Sequence, residues 1–512
     1  MKKSLQSKAK KIWAVAVVAS MLSSQFVFEK ALWTQEAYAA GFNMNGSQWA
    51  EPYLRSLYEN GIMSGDTNGN MNPDRDITRA EFVTMLNKGM GYHEITGKTN
   101  FRDIQGTEWY ANEIDIAATQ GYFVGNGKNT AGAADNLTRE QAVAFLTRNL
   151  KYEEDDRVNT DFVDGIDFPT WSRGSINAAT DKGVVAGYED GTFRPQNNIT
   201  RAEAGTMLYN ALGKIINEAG DYSYGTLNSN VTISKSGVTL RDTVINGDLY
   251  ITEGVELGYT NLQNVTVTGQ VIISGGGASN IGASSIIFTD STVNEMIIDA
   301  PEEKPVSVKV DGNAQILNTK VKSTAYLEEL SDLENGFNDV ILNGPEDTEL
   351  HLMGTFNKVT VAGEKNNLYL DSGEINTLVI DETAVDSTTT LDEDTYVSEA
   401  FIDVTTTING TGDIGQVTIN ADEVVISMLP DSIILRPGFT ATINGKTMTS
   451  KDAEEASSFP RILSKYPEID ETTATGAKVL VKTNKPGTVY WAVTEEEGVS
   501  VSDDDLLKPN RR

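Results

Sequence analysis

The chain has 512 residues, with 73 Asp+Glu against 41 Lys+Arg, a formal net charge of -32, no cysteine and two histidines. That composition removes disulfide scaffolds, Cys-ligated zinc, iron–sulfur clusters and thiol nucleophiles, and His93 and His351 cannot build a three-His metal centre. The acidic balance argues against a nucleic-acid binder, which needs a basic face to displace counterions from phosphates, while the length allows several domains.

Lys2, Lys3, Lys8, Lys10 and Lys11 precede an apolar run from Ile12 to Phe28, and Ala37-Tyr38-Ala39 places small residues where a signal peptidase cuts. Residues 1–39 therefore read as an export signal. A retained membrane anchor is the competing reading. Against it stand Ser20, Ser23 and Ser24, and a run short of the roughly 20 apolar residues a bilayer requires. Cleavage after Ala39 removes six lysines and two glutamates, taking the charge from -32 to -36. The remainder is expected to be exported, without a transmembrane anchor, and its lack of cysteine suits a Gram-positive surface.

Residues 41 to about 216 hold one unit three times, at 40–98, 99–158 and 159–218. Trp49, Trp109 and Trp171 are each followed at fixed offsets by a glycine pair (Gly61 and Gly65, Gly121 and Gly125, Gly183 and Gly187) and by a threonine (Thr78, Thr138, Thr200). Each copy reads as helix, loop, helix. In the first, Trp49, Leu54, Leu57 and Tyr58 form a stripe ended by Gly61 at a left-handed cap. Thr78 with Glu81, Thr138 with Gln141 and Thr200 with Glu203 are capping boxes. The helices after them repeat one buried face: Phe82, Met85, Leu86, Met90; Ala142, Phe145, Leu146, Leu150; Ala204, Met207, Leu208, Leu212. A unit of this size buries too little surface alone, so the copies should pack about a shared axis.

These residues resemble the S-layer homology (SLH) domain. The marks are Phe101 with Asp103, Phe162 with Asp164, the tryptophans, the glycine pairs, the Gly191 to Pro195 turn and the Ile-Thr-Arg-Ala-Glu motif at 77–81 and 199–203. The resemblance implies a pseudo-trimeric all-α module. It also implies non-covalent anchoring to a secondary cell-wall polysaccharide attached to peptidoglycan, commonly bearing a ketal-linked pyruvate. The implied grooves lie between repeats, with Arg79, Arg139, Arg201, Gly65, Gly125, Gly187, Asp103, Asp164, Trp49, Trp109 and Trp171 as candidate binding residues.

Physical reasoning runs the same way. A guanidinium matches a carboxylate bidentately, and each arginine sits at the first helical position, where free amides and the helix dipole favour an anion. The alternative is that the arginines pair with surface carboxylates. The tryptophans read first as core anchors, with sugar stacking as the alternative. Copy one lacks the aspartate of the Phe-x-Asp motif. Copy two lacks the Phe-x-Pro turn and follows its arginine with Glu140-Gln141, so its groove is expected to be weakest and Arg201 to outweigh Arg139. Asp66 to Asn70 loosely suggests a calcium loop, but its glycine is out of register, and it reads as a turn. No cofactor or metal site follows from the sequence, and calcium has no specific motif.

From 226 to 447 the pattern changes to short Val/Ile/Thr runs between Gly, Asn and Asp. Val244, Val265, Ile286 and Val308 start runs 21, 21 and 22 residues apart, and Val340, Val359 and Leu378 stand 19 apart, with Val417 two steps on. Steps near 20 residues fit the coils of a parallel β-solenoid, with a string of β-sandwiches as the alternative. Pro301 to Pro305 and Leu327 to Gly336 read as insertions or a seam. Asp242, Asp248, Asp290 and Asp299 could supply a glycosidase pair, but a solvated wall explains them as well. A spacer or a self-associating lattice element is therefore favoured over an enzyme. Residues 459–512 read as part of an immunoglobulin-like or fibronectin-like module, with a hairpin about Asn484-Lys485-Pro486-Gly487. The expected fold class is multidomain α+β: helical SLH module, all-β parallel solenoid, partial β module.

Overall fold

The structure is a computed structural model that describes residues 41–95, 97–277, 285–301, 304–330, 336–458, 468–473 and 476–480. The expected export signal and the hairpin about Asn484 lie outside the described residues. The chain divides into two compact units, one running to residue 219 with 227–235 and 252–255, the other comprising 220–226, 236–251 and 256 onward.

The described residues of the first unit form six α-helices, two per copy: α1 (Glu51–Glu59), α2 (Arg79–Met90), α3 (Ala111–Thr119), α4 (Arg139–Asn149), α5 (Thr170–Asp181) and α6 (Arg201–Leu212). The boxes start α2, α4 and α6. Thr78 Oγ1 accepts the Glu81 amide at 3.2 Å while Glu81 Oε2 accepts the Thr78 amide at 3.0 Å, and Thr200 with Glu203 repeats this at 3.2 and 2.9 Å. In copy two Gln141 Oε1 takes the Thr138 amide at 3.3 Å. All twelve apolar positions aligned after the boxes are buried.

The copies close into a ring through their backbones. The Ile77 amide donates to Ile199 O (3.1 Å), Ile199 to Leu137 O (3.0 Å) and Leu137 to Ile77 O (2.9 Å), and all three side chains are fully buried. Three amides and three carbonyls are thus satisfied in a closed cycle, which no single copy can do for itself. Strand structure begins sooner than the sequence suggests, since Lys214–Ile216 pairs in parallel with Val231–Ile233 within this same unit.

The second unit is a parallel β-solenoid. One interior row runs Val340, Val359, Leu378, Ala400, Val417 and Ile433, each paired in register with the next. Every member is at most 3 % exposed, and each large aliphatic so buried contributes about 1.5–3 kcal/mol. The expected Val340, Val359, Leu378 and Val417 series lies on this row. The earlier series is only partly in register: Ile286 pairs with Val308, but Val265 pairs with Thr243 and Ile286 with Thr260. Coils vary in length, from Val417 to Ile433 up to Thr260 to Ile286. Leu327 belongs to a strand, Ala325–Glu329, rather than to an insertion.

A corner of the solenoid is made by Asp242, Asn264 and Asp290, all at positive φ (48°, 53° and 50°), where short polar side chains bond locally and tolerate the left-handed region. At the far end Thr440–Ile443 turns back antiparallel through Asn444-Gly445 onto Lys446–Thr449. Helix α7 (Ser450–Ser458) follows, and its Ser457 Oγ accepts the Ile433 amide at 2.9 Å. This covers a strand edge that would otherwise template further pairing. Beyond it, the described residues hold one antiparallel pair, Glu468–Thr473 with Gly476–Leu480.

Candidate functional site

Arg79, Arg139 and Arg201 are buried, with 5, 6 and 7 % of their surface exposed. Their guanidiniums mostly brace a neighbouring copy. Arg79 Nε and Nη2 donate to Ala131 O (3.2 Å) and Val124 O (3.0 Å), and Arg201 Nε and Nη2 to Met71 O (2.9 Å) and Ser64 O (2.8 Å). Arg139 Nη2 donates to Ala186 O at 2.6 Å. Aromatic rings lie under two of them: Phe123 and Phe145 within 5.2 Å of Arg79, Tyr188 and Phe193 within 4.9 Å of Arg139. Burial pushes the Arg79 pKa down to about 10 against the opposing charges of Asp135 and Asp103, and lowers Arg139 and Arg201 too. All three remain cationic at neutral pH.

The expectation of free amides at the helix starts is corrected. The first two amides of α2 donate to Asp135 O and Ala133 O, those of α4 to Asn197 O and Pro195 O, and those of α6 to Arg75 O and Pro73 O, at 2.9–3.0 Å. The third amides of α2 and α6 go to the threonine caps. Neighbouring copies and the threonine caps therefore use up these helix-start donors, which leaves the guanidinium rather than the helix amides to meet an anion.

Three grooves of about 530, 620 and 800 Å³ lie at the seams, within the range of small-molecule sites. Each takes one part from every copy. The first combines Gly65 and Glu81 of copy one, Trp109 of copy two and Arg201 of copy three. The second combines Gly125 and Gln141 of copy two, Trp171 of copy three and Arg79 of copy one. The third combines Gly187 and Glu203 of copy three, Trp49 of copy one and Arg139 of copy two. An arginine thus serves the groove of the following copy rather than its own, so the expected ranking of Arg201 over Arg139 was tied to the wrong grooves.

The tryptophans are not core anchors. Trp49, Trp109 and Trp171 are 56, 64 and 49 % exposed and line the grooves. Trp49 sits in a 3-10 turn, Gln48–Ala50, ahead of α1. Asp103 and Asp164 line none of these grooves. They clamp loop backbones instead: Asp103 accepts the Ala131 and Gly132 amides (2.7 and 2.8 Å), and Asp164 the Phe193 and Arg194 amides (both 2.8 Å). Copy one replaces its missing aspartate with the Asn43 carbonyl on the Met71 amide and Asn45 Oδ1 on the Asn72 amide.

The glycine pairs have two separate causes. Gly61, Gly121 and Gly183 have φ of 69°, 77° and 69°, while a Cβ on Gly125 would come within 2.5 Å of Thr130 O and 2.6 Å of Phe101. Asp66 forms a turn, accepting the Asn68 and Asn70 amides and the side chains of Asn70 and Asn72. Those bonds, the Asn70 amide foremost, lower its pKa to about 2.

Sequence reasoning missed two groove and seam features. Glu81, although opposed by burial, is held below the usual carboxylate range by bonds from Arg75 and Thr78 and by the charges of Arg75 and Arg201. Glu140 is buried against Ser172 Oγ (2.8 Å), and burial raises its pKa. Among the described residues no group of three or more acidic, His or Cys side chains is arranged to hold a metal, and no helix is long and apolar enough to cross a membrane.

Residues 44–83, 100–143 and 161–204 match the S-layer homology domain, so the chain carries three such repeats. An amylopullulanase of Thermoanaerobacterium thermosulfurigenes is 33% identical over 35% of this chain and 10% of its own length. The surface-layer 125 kDa protein of Lysinibacillus sphaericus is 28% identical over 39% of this chain and 16% of its own. A cellulosome-anchoring protein of Acetivibrio thermocellus is 30% identical over 30% of this chain and 35% of its own. The chain therefore spans well under two thirds of each relative.

Proposed function

We propose that this chain is an exported surface protein of a Gram-positive bacterium. The helical unit holds it non-covalently to an acidic, pyruvate-bearing secondary wall polysaccharide, and the solenoid serves as a structural spacer or surface-layer element. One observation carries the reading: three seams repeat the same triad of buried arginine, capping-box side chain and exposed tryptophan. The guanidinium edge would take the ketal carboxylate, and the indole would cover an apolar sugar face. Gly65, Gly125 and Gly187 admit the close loop turns, and Asp103 and Asp164 hold those loops in place. Relatives with such different names as an amylopullulanase, a surface-layer protein and a cellulosome-anchoring protein share a stretch of this size. Attachment is a task that such a shared stretch would serve whatever the rest of the protein does.

The test is sedimentation of the full chain with purified sacculi. Retention on sacculi that carry the pyruvate ketal, and its loss after mild acid removes the ketal, is the expected result. Equal retention on both would overturn the acidic-ligand reading.

A further inference from the structure

Resting on that reading, the three grooves differ in one charge that faces the arginine. In the third groove Arg139 Nη1 lies 3.7 Å from Glu203, and in the first Arg201 Nη1 lies 3.8 Å from Glu81. In the second groove the same capping position is Gln141, and among the described residues neither Arg79 nor Arg148, which both line it, pairs with a carboxylate. Two of the other lining cations are already engaged, Arg75 with Glu81 at 2.5 Å and Arg194 with Asp190 at 2.7 Å, while Lys88 shares the first groove with the acidic Glu113 and Asp66. Charged lining groups balance in the first groove, leave the second net positive through Arg79 and Arg148 against Asp135, and leave the third net negative.

We propose that the second groove is the principal carboxylate-reading groove and that Gln141 sets this preference by removing the capping-box carboxylate that faces the arginine in the other two grooves. A ligand carboxylate entering the first or third groove must displace or share a guanidinium already facing Glu81 or Glu203. In the second it meets Arg79 and Arg148 against one acidic lining group, Asp135, with Trp171 as the adjoining aromatic wall. Gln141 Oε1 still takes the Thr138 amide, so the neutral side chain keeps this half of the box although Thr138 Oγ1 is left without a partner. Gln141 is in this sense a specificity-determining residue, and the copy whose motif departs furthest carries the strongest anion site.

The test titrates the full chain with the 4,6-O-pyruvate ketal of a methyl hexoside and, separately, with its methyl ester, by calorimetry at low salt. Gln141→Glu, which recreates the box of the other copies, should weaken the tightest step about fivefold, the upper end for one partly exposed charge pair. Glu203→Gln should tighten a weaker step by a similar factor. An unchanged tightest step in Gln141→Glu, with helical circular dichroism intact, overturns this inference while leaving the anchoring reading standing. No binding by the unsubstituted chain, or equal binding of acid and ester, overturns both.

Discussion

The groove arginines hold loops before they hold ligand, and Arg79→Ala exposes the size of that role. The substitution orphans Ala131 O and Val124 O, now held at 3.2 and 3.0 Å in a residue 5 % exposed. Leaving a buried acceptor unpaired costs about 1–3 kcal/mol, and losing the cation from above Phe123 and Phe145 costs about 0.5–2 kcal/mol more. Val124 is itself exposed, so both acceptors count at the low end and the total is about 2.5–4 kcal/mol. For a unit of this size each kcal/mol moves the midpoint about 2–4 °C, so the helical unit should melt roughly 5–15 °C lower. Thermal unfolding followed at 222 nm reads this unit, because six of the seven described helices lie in it. Arg79→Lys should recover little, since a lysine cannot span two carbonyls as a fork. A midpoint within 2 °C of the unsubstituted chain would refute the bracing account and return the arginine to a purely ligand-facing role.

Trp171→Ala should leave the midpoint within about 3 °C, because surface changes rarely exceed about 0.5 kcal/mol by much, yet weaken binding of the pyruvate-ketal saccharide several-fold by calorimetry. Gly125→Ala should destabilise by about 2 kcal/mol or more, since its Cβ meets Thr130 O and Phe101, whereas Gly121→Ala meets nothing and should cost only about 1 kcal/mol for its positive φ; denaturant titration separates them. Glu140, whose pKa burial raises, binds its proton more tightly folded than unfolded. Its contribution is therefore full below the ordinary glutamate range and is lost as pH rises through the raised value. Glu140→Gln should flatten the fall in stability above about pH 4.5, as measured by unfolding midpoints across pH 4–7.

Local features were legible where local chemistry decides them. The capping boxes, the twelve buried positions of α2, α4 and α6, and the left-handed glycines all follow from short-range spacing. What the sequence could not carry was pairing at long range. The Arg201 bond to Ser64 O spans 137 residues, and nothing in the motif reveals which groove an arginine enters or that neighbouring carbonyls consume the helix amides. Trp49 was placed on a helical stripe because Leu54 and Leu57 share its spacing. The 3-10 turn at Gln48–Ala50 rotates it off that face and into solvent. In the solenoid, the row from Val340 to Val417 was readable where coils are even, and the series near Val265 slipped where one coil lengthens between Thr260 and Ile286.

The decisive measurement is a crystal structure of the chain bound to a pyruvate-ketal oligosaccharide. The ketal carboxylate should lie at a seam, within hydrogen-bonding distance of Arg79 and beside Trp171. A carboxylate bound away from all three arginines, or a saccharide lying along the solenoid with the seams empty, would contradict anchoring through the seams.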